Sequence, residues 1–357
     1  MSHFPDVDPL LIETADKAFA SSCTHSALQD AERDGWAPAV WGATADIGLQ
    51  LISVPEENGG VGGTLVDALA VLFTAGRHAA PIPLAENGVI AGWLAASAGL
   101  TLPDGVVTAV TATNFNTLRV DGGKVSGSAK YVPWARKADT IVALADSDGG
   151  PQVVMLNAAD LTVDQATNIA GEPRDAITAS AVTPVATAAA NGADAASLRL
   201  RAGLARAAQM AGALERMSEI TVGYTNERHQ FGKPISSFQA IQQHLVHTAQ
   251  DAAIVTIAVA TAARVALHGD ARFEIASAVT LADDAAVTAS RAAHQAHGAM
   301  GLTQEYTLHH FSRRLWAWRH EFGGPRAWTT DVAGYALQAG PDGLYPLITG
   351  GTAMLVG

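Results

Sequence analysis

From Asn191 onward the chain turns alanine-rich and keeps its apolar residues at helical spacing, and that texture restricts the possible folds more than any other feature. Leu204, Ala208, Ala211, Leu214 and Met217 fall on one stripe, with Glu215, Arg216 and Glu219 predicted to face outward. Further long helices are read from Ser237 to about Leu267 and from Phe273 to about Met300. Small side chains let helix axes approach closely, so a four-helix bundle is the economical arrangement.

Upstream the texture differs. Apolar residues recur at helical spacing in Leu10 to Ala20 and in Leu65 to Ala75. Between them the Gly- and Pro-punctuated segment from Leu51 to Gly63 is predicted as a loop. From about Leu102 to Val185 the chain breaks into short β-branched runs, Val106 to Thr111, Ala138 to Ala145 and Gln152 to Leu156, with Asp121-Gly122-Gly123 placed to turn a hairpin. The expected fold is therefore α+β: an N-terminal helical domain over 1–101, a middle β domain over 102–190, and a C-terminal helical bundle over 191–357.

With 48% apolar residues a large core is available, yet no uninterrupted apolar run reaches about 18 residues, so no membrane association is expected. The start of the sequence lacks the basic and apolar regions of a secretory leader, and Cys23 is the one cysteine, which points to a reducing cytoplasm. Twenty-two basic residues stand against 34 acidic, a net charge of -12, which argues against nucleic acid as a partner. An anionic ligand would have to be held by a few local arginines or backbone amides.

Two segments carry a resemblance. Glu227-Arg228-His229-Gln230-Phe231-Gly232-Lys233-Pro234-Ile235, followed by Ser236-Ser237-Phe238-Gln239-Ala240, resembles a signature of the acyl-CoA dehydrogenase family. Gln295-Ala296-His297-Gly298-Ala299-Met300-Gly301, with Glu305-Tyr306 and Arg313-Arg314 beyond it, resembles that family's Gln-x-x-Gly-Gly-x-Gly pattern. Val54 to Gly60 looks like its N-terminal loop, and Val125 to Ala135 like a strand and turn of its middle domain. The resemblance implies an acyl-CoA dehydrogenase-like three-part fold. It also implies an FAD enzyme that removes hydrogens from Cα and Cβ of an acyl-CoA substrate and passes electrons to an electron-transfer flavoprotein. The assembly implied is a homodimer or homotetramer, or a heterotetramer with a related subunit.

Residue chemistry agrees with those roles. Arg228 offers a rigid guanidinium fork to a diphosphate, and in the family this segment faces the partner's flavin. Phe231 and Phe238 offer apolar faces, Gln230 and Gln295 offer amides, and Gly298 with Ala299 lets backbone come close to a dinucleotide. Read singly each is ordinary: an arginine near a helix end complements the helix dipole, and a glycine past a helix is a common stop.

Dehydrogenation of a thioester needs a base for the α proton, and a carboxylate in a dry pocket suits that task. The family's usual glutamate follows the second motif; the same distance from Gln295 reaches Phe322, with Glu321 one residue short. Glu321 is the candidate base, and the competing expectation pairs it with Arg319 or another neighbouring cation. The family's other base position falls on Ala202, between Arg201 and Gly203. The stretch expected to embrace the flavin ring reads Val110 to Thr117 and looks truncated, and a hydroxyl expected near Tyr131-Val132 is replaced by Pro133. Residues that reach a partner's FAD are thus kept, while those serving the chain's own flavin are thinned. Three roles stay open: a self-sufficient enzyme using Glu321, a subunit that completes shared sites, and a silent structural partner.

Rival chemistries find less. His294, His297, His309, His310 and His320 crowd one region, but no carboxylate or cysteine completes a recognisable ligand spacing, so no metal is expected. No Gly-x-Ser-x-Gly elbow occurs, and Gly59-Gly60-Val61-Gly62-Gly63 lacks the setting of a dinucleotide fingerprint.

Overall fold

The computed structural model describes residues 3–355 apart from 5 and 112, and runs through helices, strands and helices in the predicted order. Contacts gather the chain into two compact bodies, one of residues 17–68 and 81–205, the other of 1–16, 69–80 and 206–357.

Helices α1 (Pro9–Ser22), α2 (His25–Asp34), α3 (Pro38–Ala45), α4 (Leu65–Arg77) and α5 (Trp93–Ser97) precede the strands. In the first body the loop after α3 contains two short 3-10 turns, Leu49–Leu51 and Glu56–Asn58. A Cβ on Gly60 would lie 2.0 Å from the Val54 carbonyl oxygen, so this glycine serves packing. A π-helix over Ala85–Gly92, not expected from the residue pattern, is buried at every residue. Gly88 and Gly92 let its wide turns sit against Gln50 and Val54, where added methyls would come within 2.1 and 2.3 Å.

Strands β1 (Val107–Ala109), β2 (Arg119–Asp121), β3 (Lys124–Pro133), β4 (Thr140–Ala145), β5 (Gln152–Asn157), β6 (Thr162–Asp164), β7 (Arg174–Val182) and β8 (Ala186–Ala189) form two four-stranded sheets, ordered β1-β4-β5-β8 and β2-β3-β7-β6. Alternate residues of both sheets, among them Val125, Ala129, Ile141, Val154 and Ile177, close one core. The predicted hairpin is present: Asp121 pairs with Lys124, and Gly122 and Gly123 take φ of 55° and 77°.

The helical region comprises α6 (Ala195–Glu227), a hairpin of β9 (His229–Gln230) and β10 (Lys233–Pro234), then α7 (Gln239–His268), α8 (Arg272–His297), α9 (Leu308–Trp318) and α10 (Gly324–Gly350). In the second body the C-terminal part of α4 crosses α6 backbone to backbone. A methyl on Gly76 would meet the Gln209 carbonyl oxygen at 2.0 Å, and one on Gly212 the Phe73 oxygen at 1.9 Å. Leu204, Ala208, Ala211, Leu214 and Met217 are buried as the stripe requires. Glu215 departs from its predicted outward role, because Arg77 and His3 draw its carboxylate into ion pairs.

The helix α7 is long and apolar enough to cross a membrane by length and composition, although it holds no unbroken apolar run of about 18 residues. Polar residues interrupt the run without lowering its mean hydropathy of 1.4. One face, including Ala252, Val255 and Val259, is buried, as in the core helix of a globular bundle, while Val246, Ile254 and Ile257 face outward. Gly340 breaks the regular path of α10 just before Pro341.

Candidate functional site

Helix α6 stops at Glu227, and the next residue begins an arm. The Arg228 N–H donates to the Tyr224 carbonyl at 2.9 Å, and Gln230 pairs with Lys233 across the β9–β10 hairpin. Phe231 and Gly232 turn it with φ of 51° and 80°. A left-handed phenylalanine is strained, and strain of this kind persists where the surroundings or a function demand it. The Phe231 residue is 91% exposed and meets Phe238 edge-on at 6.1 Å; Lys233 Nζ lies 4.4 Å above the Phe238 ring. Arg228 and Gln230 are exposed as well. Phe238 then caps α7 and leads into a groove.

That groove, about 1010 Å³, opens between α7 and α8. Gln243, His244 and His247 form the α7 side. Thr288, Arg291 and Gln295 line the groove from α8, and Gly298 and Leu302 from the turn that follows. Gly298 takes φ 60° and ψ -140°, and a Cβ there would meet nothing within 4 Å, so its backbone is open to an incoming group. Ala299 follows on the exposed 3-10 turn Gly298–Leu302.

An aromatic stack ties the two signature segments together. The His297 ring lies parallel to Tyr224 at 4.5 Å and inclined to Tyr306 at 5.0 Å. His297 Nδ1 donates to the Ala293 carbonyl at 2.8 Å, and burial lowers the imidazole's pKa, which favours the uncharged ring. Tyr224 is the residue that accepts from Arg228, and His297 immediately precedes Gly298. Arm and groove therefore share one scaffold.

The candidate base lies in different surroundings. Glu321 is in the short turn between α9 and α10, where Phe322, Gly323 and Gly324 take φ of 54°, 103° and 68°. Its Oε2 accepts from Arg206 Nε at 2.8 Å, and the two side chains are 15% and 3% exposed. The Arg206 guanidinium stacks over Trp318 at 5.2 Å and Phe322 at 5.9 Å and also bonds Gln209. Arg319, the partner expected from the sequence, turns instead to the Asp283 carbonyl at 3.2 Å. Asp283 is 2% exposed, and burial pushes its carboxyl up to about 8 against the pull of Arg319.

In the other body Ala202 is buried, and Arg201 donates from Nε to the Val89 carbonyl at 2.6 Å beneath Trp93. Tyr131, at φ 59° in an irregular stretch of β3, packs its exposed ring against Phe115 at 5.2 Å. The Pro133 carbonyl accepts from Thr108. Of the stretch from Val110 to Thr117, Ala112 lies outside the described residues, and Asn116 Nδ2 bonds the Leu144 carbonyl at 2.6 Å.

Reasoning from the sequence missed Arg206, the Tyr224–His297–Tyr306 stack and the α7 wall of the groove. Only the last left a trace, since Gln243 and His247, like Arg291 and Gln295, stand one helical turn apart and share a face.

Comparison with known proteins agrees with this geometry. The acyl-CoA dehydrogenase N-terminal domain matches residues 9–99, and the acyl-CoA dehydrogenase C-terminal domain matches residues 191–325. The chain belongs to the acyl-CoA dehydrogenase family, a family of FAD enzymes. Among relatives, acyl-CoA dehydrogenase FadE34 of Mycobacterium tuberculosis is 30% identical over 323 residues, which cover 85% of this chain and 43% of that protein. This chain thus spans less than half the length of that relative. The ChsE4-ChsE5 complex from Mycobacterium tuberculosis has a chain of the same fold, with TM-score 0.81, 21% identity and coverage of 96% of this chain and 98% of that one. The Tcur3481-Tcur3483 steroid ACAD G363A variant gives TM-score 0.82 and 24% identity, with the same coverages of 96% and 98%.

Proposed function

We propose that this chain is one of two unlike subunits of an FAD-dependent acyl-CoA dehydrogenase, and that it contributes the arm and groove of a shared cofactor site without contributing the base. The observation that carries this reading is the capture of Glu321 by a buried arginine: a carboxylate in that ion pair would have to give up its partner to take a substrate proton. The residues of arm and groove fit the diphosphate and adenosine end of FAD. Arg228 and Arg291 supply cations, Gln230 and Gln295 amides, and Gly298 with Ala299 open backbone. Phe231 and Phe238 supply ring faces for a flavin seated mainly on the partner. FAD, when bound, accepts the hydride leaving Cβ of the acyl thioester; this chain's task is to hold the far end of the cofactor.

Likeness to chains of the ChsE4-ChsE5 and Tcur3481-Tcur3483 complexes favours the heteromeric form, and the second favours a steroid side-chain thioester as substrate. Electron-transfer flavoprotein is the proposed acceptor. Purification of the chain alone tests the reading. The expected product is a colourless protein that reduces no dye with octanoyl-CoA or a steroid side-chain CoA thioester. A yellow homomer that turns over, and loses turnover on Glu321→Gln, would overturn it.

A further inference from the structure

We propose that the groove between α7 and α8 carries its own phosphate grip, made by Arg291 and His247 with His244 beside them, residues outside both signature segments. The proposal rests on the cofactor role given above and extends it to side chains to which the sequence assigned nothing. Three features support it. The chain has a net charge of -12, yet no Asp or Glu lines this groove. Arg291 has no carboxylate partner among the described residues, unlike Arg77, Arg136 and Arg206. The nearest acid on α7, Asp251, is one turn beyond His247; the Thr288 hydroxyl bonds it and burial raises its pKa. Arg291 is thus left without a carboxylate of its own among the described residues.

Spacing makes the set convergent. His247 lies four residues after Gln243 on α7, and Arg291 stands between Thr288 and Gln295 on one face of α8. The space they face, about 1010 Å³, is that of a nucleotide-sized ligand. Arg291 donates only, each imidazole can donate and no carboxylate faces them, an arrangement that recognises a diphosphate more readily than a neutral nucleoside.

Calorimetric titration of the purified chain with ADP, inorganic pyrophosphate and adenosine at fixed ionic strength tests the grip. ADP should bind at least tenfold more tightly than adenosine, and pyrophosphate should compete with it. Arg291→Gln and His247→Gln should each weaken ADP by about tenfold, the loss of one charge-assisted contact, with adenosine little changed. Arg291 and His247 are exposed, so both variants should melt as the parent does. Equal binding of ADP and adenosine, no ADP binding at millimolar concentration, or a double variant that binds ADP like the parent would overturn the grip. The FAD content of the complex purified with its partner subunit separates the two claims. If the double variant keeps FAD while Arg228→Gln loses it, the grip fails and the shared site stands; if both keep FAD, both fail.

Discussion

The arm at Arg228 and the turn at Glu321 belong to the same helical body, and they differ in where their side chains find partners. Around Glu321 the cation, the carboxylate and two aromatic rings satisfy one another inside the fold. At the arm a strained phenylalanine, an arginine and a glutamine are directed to the outside. Groups that are costly to leave in water, or costly to hold in their conformation, persist where something external uses them. The contrast separates a turn that maintains structure from a hairpin that meets another molecule.

The sharpest way to break the comparison is Arg206→Leu. If the turn is a closed structural unit, stranding Glu321 should cost about 4 kcal/mol of stability, read from denaturant unfolding, because a largely buried charge loses the guanidinium it is paired with. A loss below about 1 kcal/mol would show that Glu321 is free to act otherwise. Asp283 gives the next effect, and it depends on pH. An unfolded aspartate releases its proton near 3.8, whereas the folded one keeps it until about 8. Its stabilising contribution is therefore complete below the lower value and is lost as pH rises through the upper one. Asp283→Asn should remove that slope and gain several kcal/mol at pH 8 relative to pH 4, checked by thermal melts across the range.

The arm should behave oppositely, with small effects on folding and larger ones on the cofactor. Arg228→Gln should lower FAD affinity of the assembled enzyme about thirtyfold, a loss near 2 kcal/mol, measured by flavin release on dilution. Phe231→Ala should change unfolding stability by less than about 0.5 kcal/mol while raising flavin release several-fold, which sharpens the contrast because the residue contributes almost nothing to its own fold. A large drop in melting temperature for Phe231→Ala would erase the distinction.

Much of this was legible in the residue order, and the reason is locality. The hairpin at Asp121 to Lys124 follows from two consecutive glycines, and α1, α4 and α8 from the 3.6-residue period. Arg228, Phe231, Gln295 and Gly298 could be named because each sits in a short contiguous motif. What escaped depends on distant parts of the chain. Arg206 and Glu321 are 115 positions apart, so sequence neighbours such as Arg319 were the only visible partners. The π-helix over Ala85–Gly92 is set by the close approach of Gln50 and Val54, which no local pattern encodes. Tyr224, His297 and Tyr306 read as three unrelated aromatics until the helix ends bring them together.

The crossing of α4 over α6 has a consequence for how this chain can change through mutation. Because neither Gly76 nor Gly212 has room for a single methyl, no one-step replacement at either site leaves the helix axes where they are. The two positions are held together like a lock with two pins, and drift elsewhere along both helices proceeds around them. Two bare positions, one in each helix, thus give a compact fingerprint for picking out, among distant unaligned sequences, those that share this crossing.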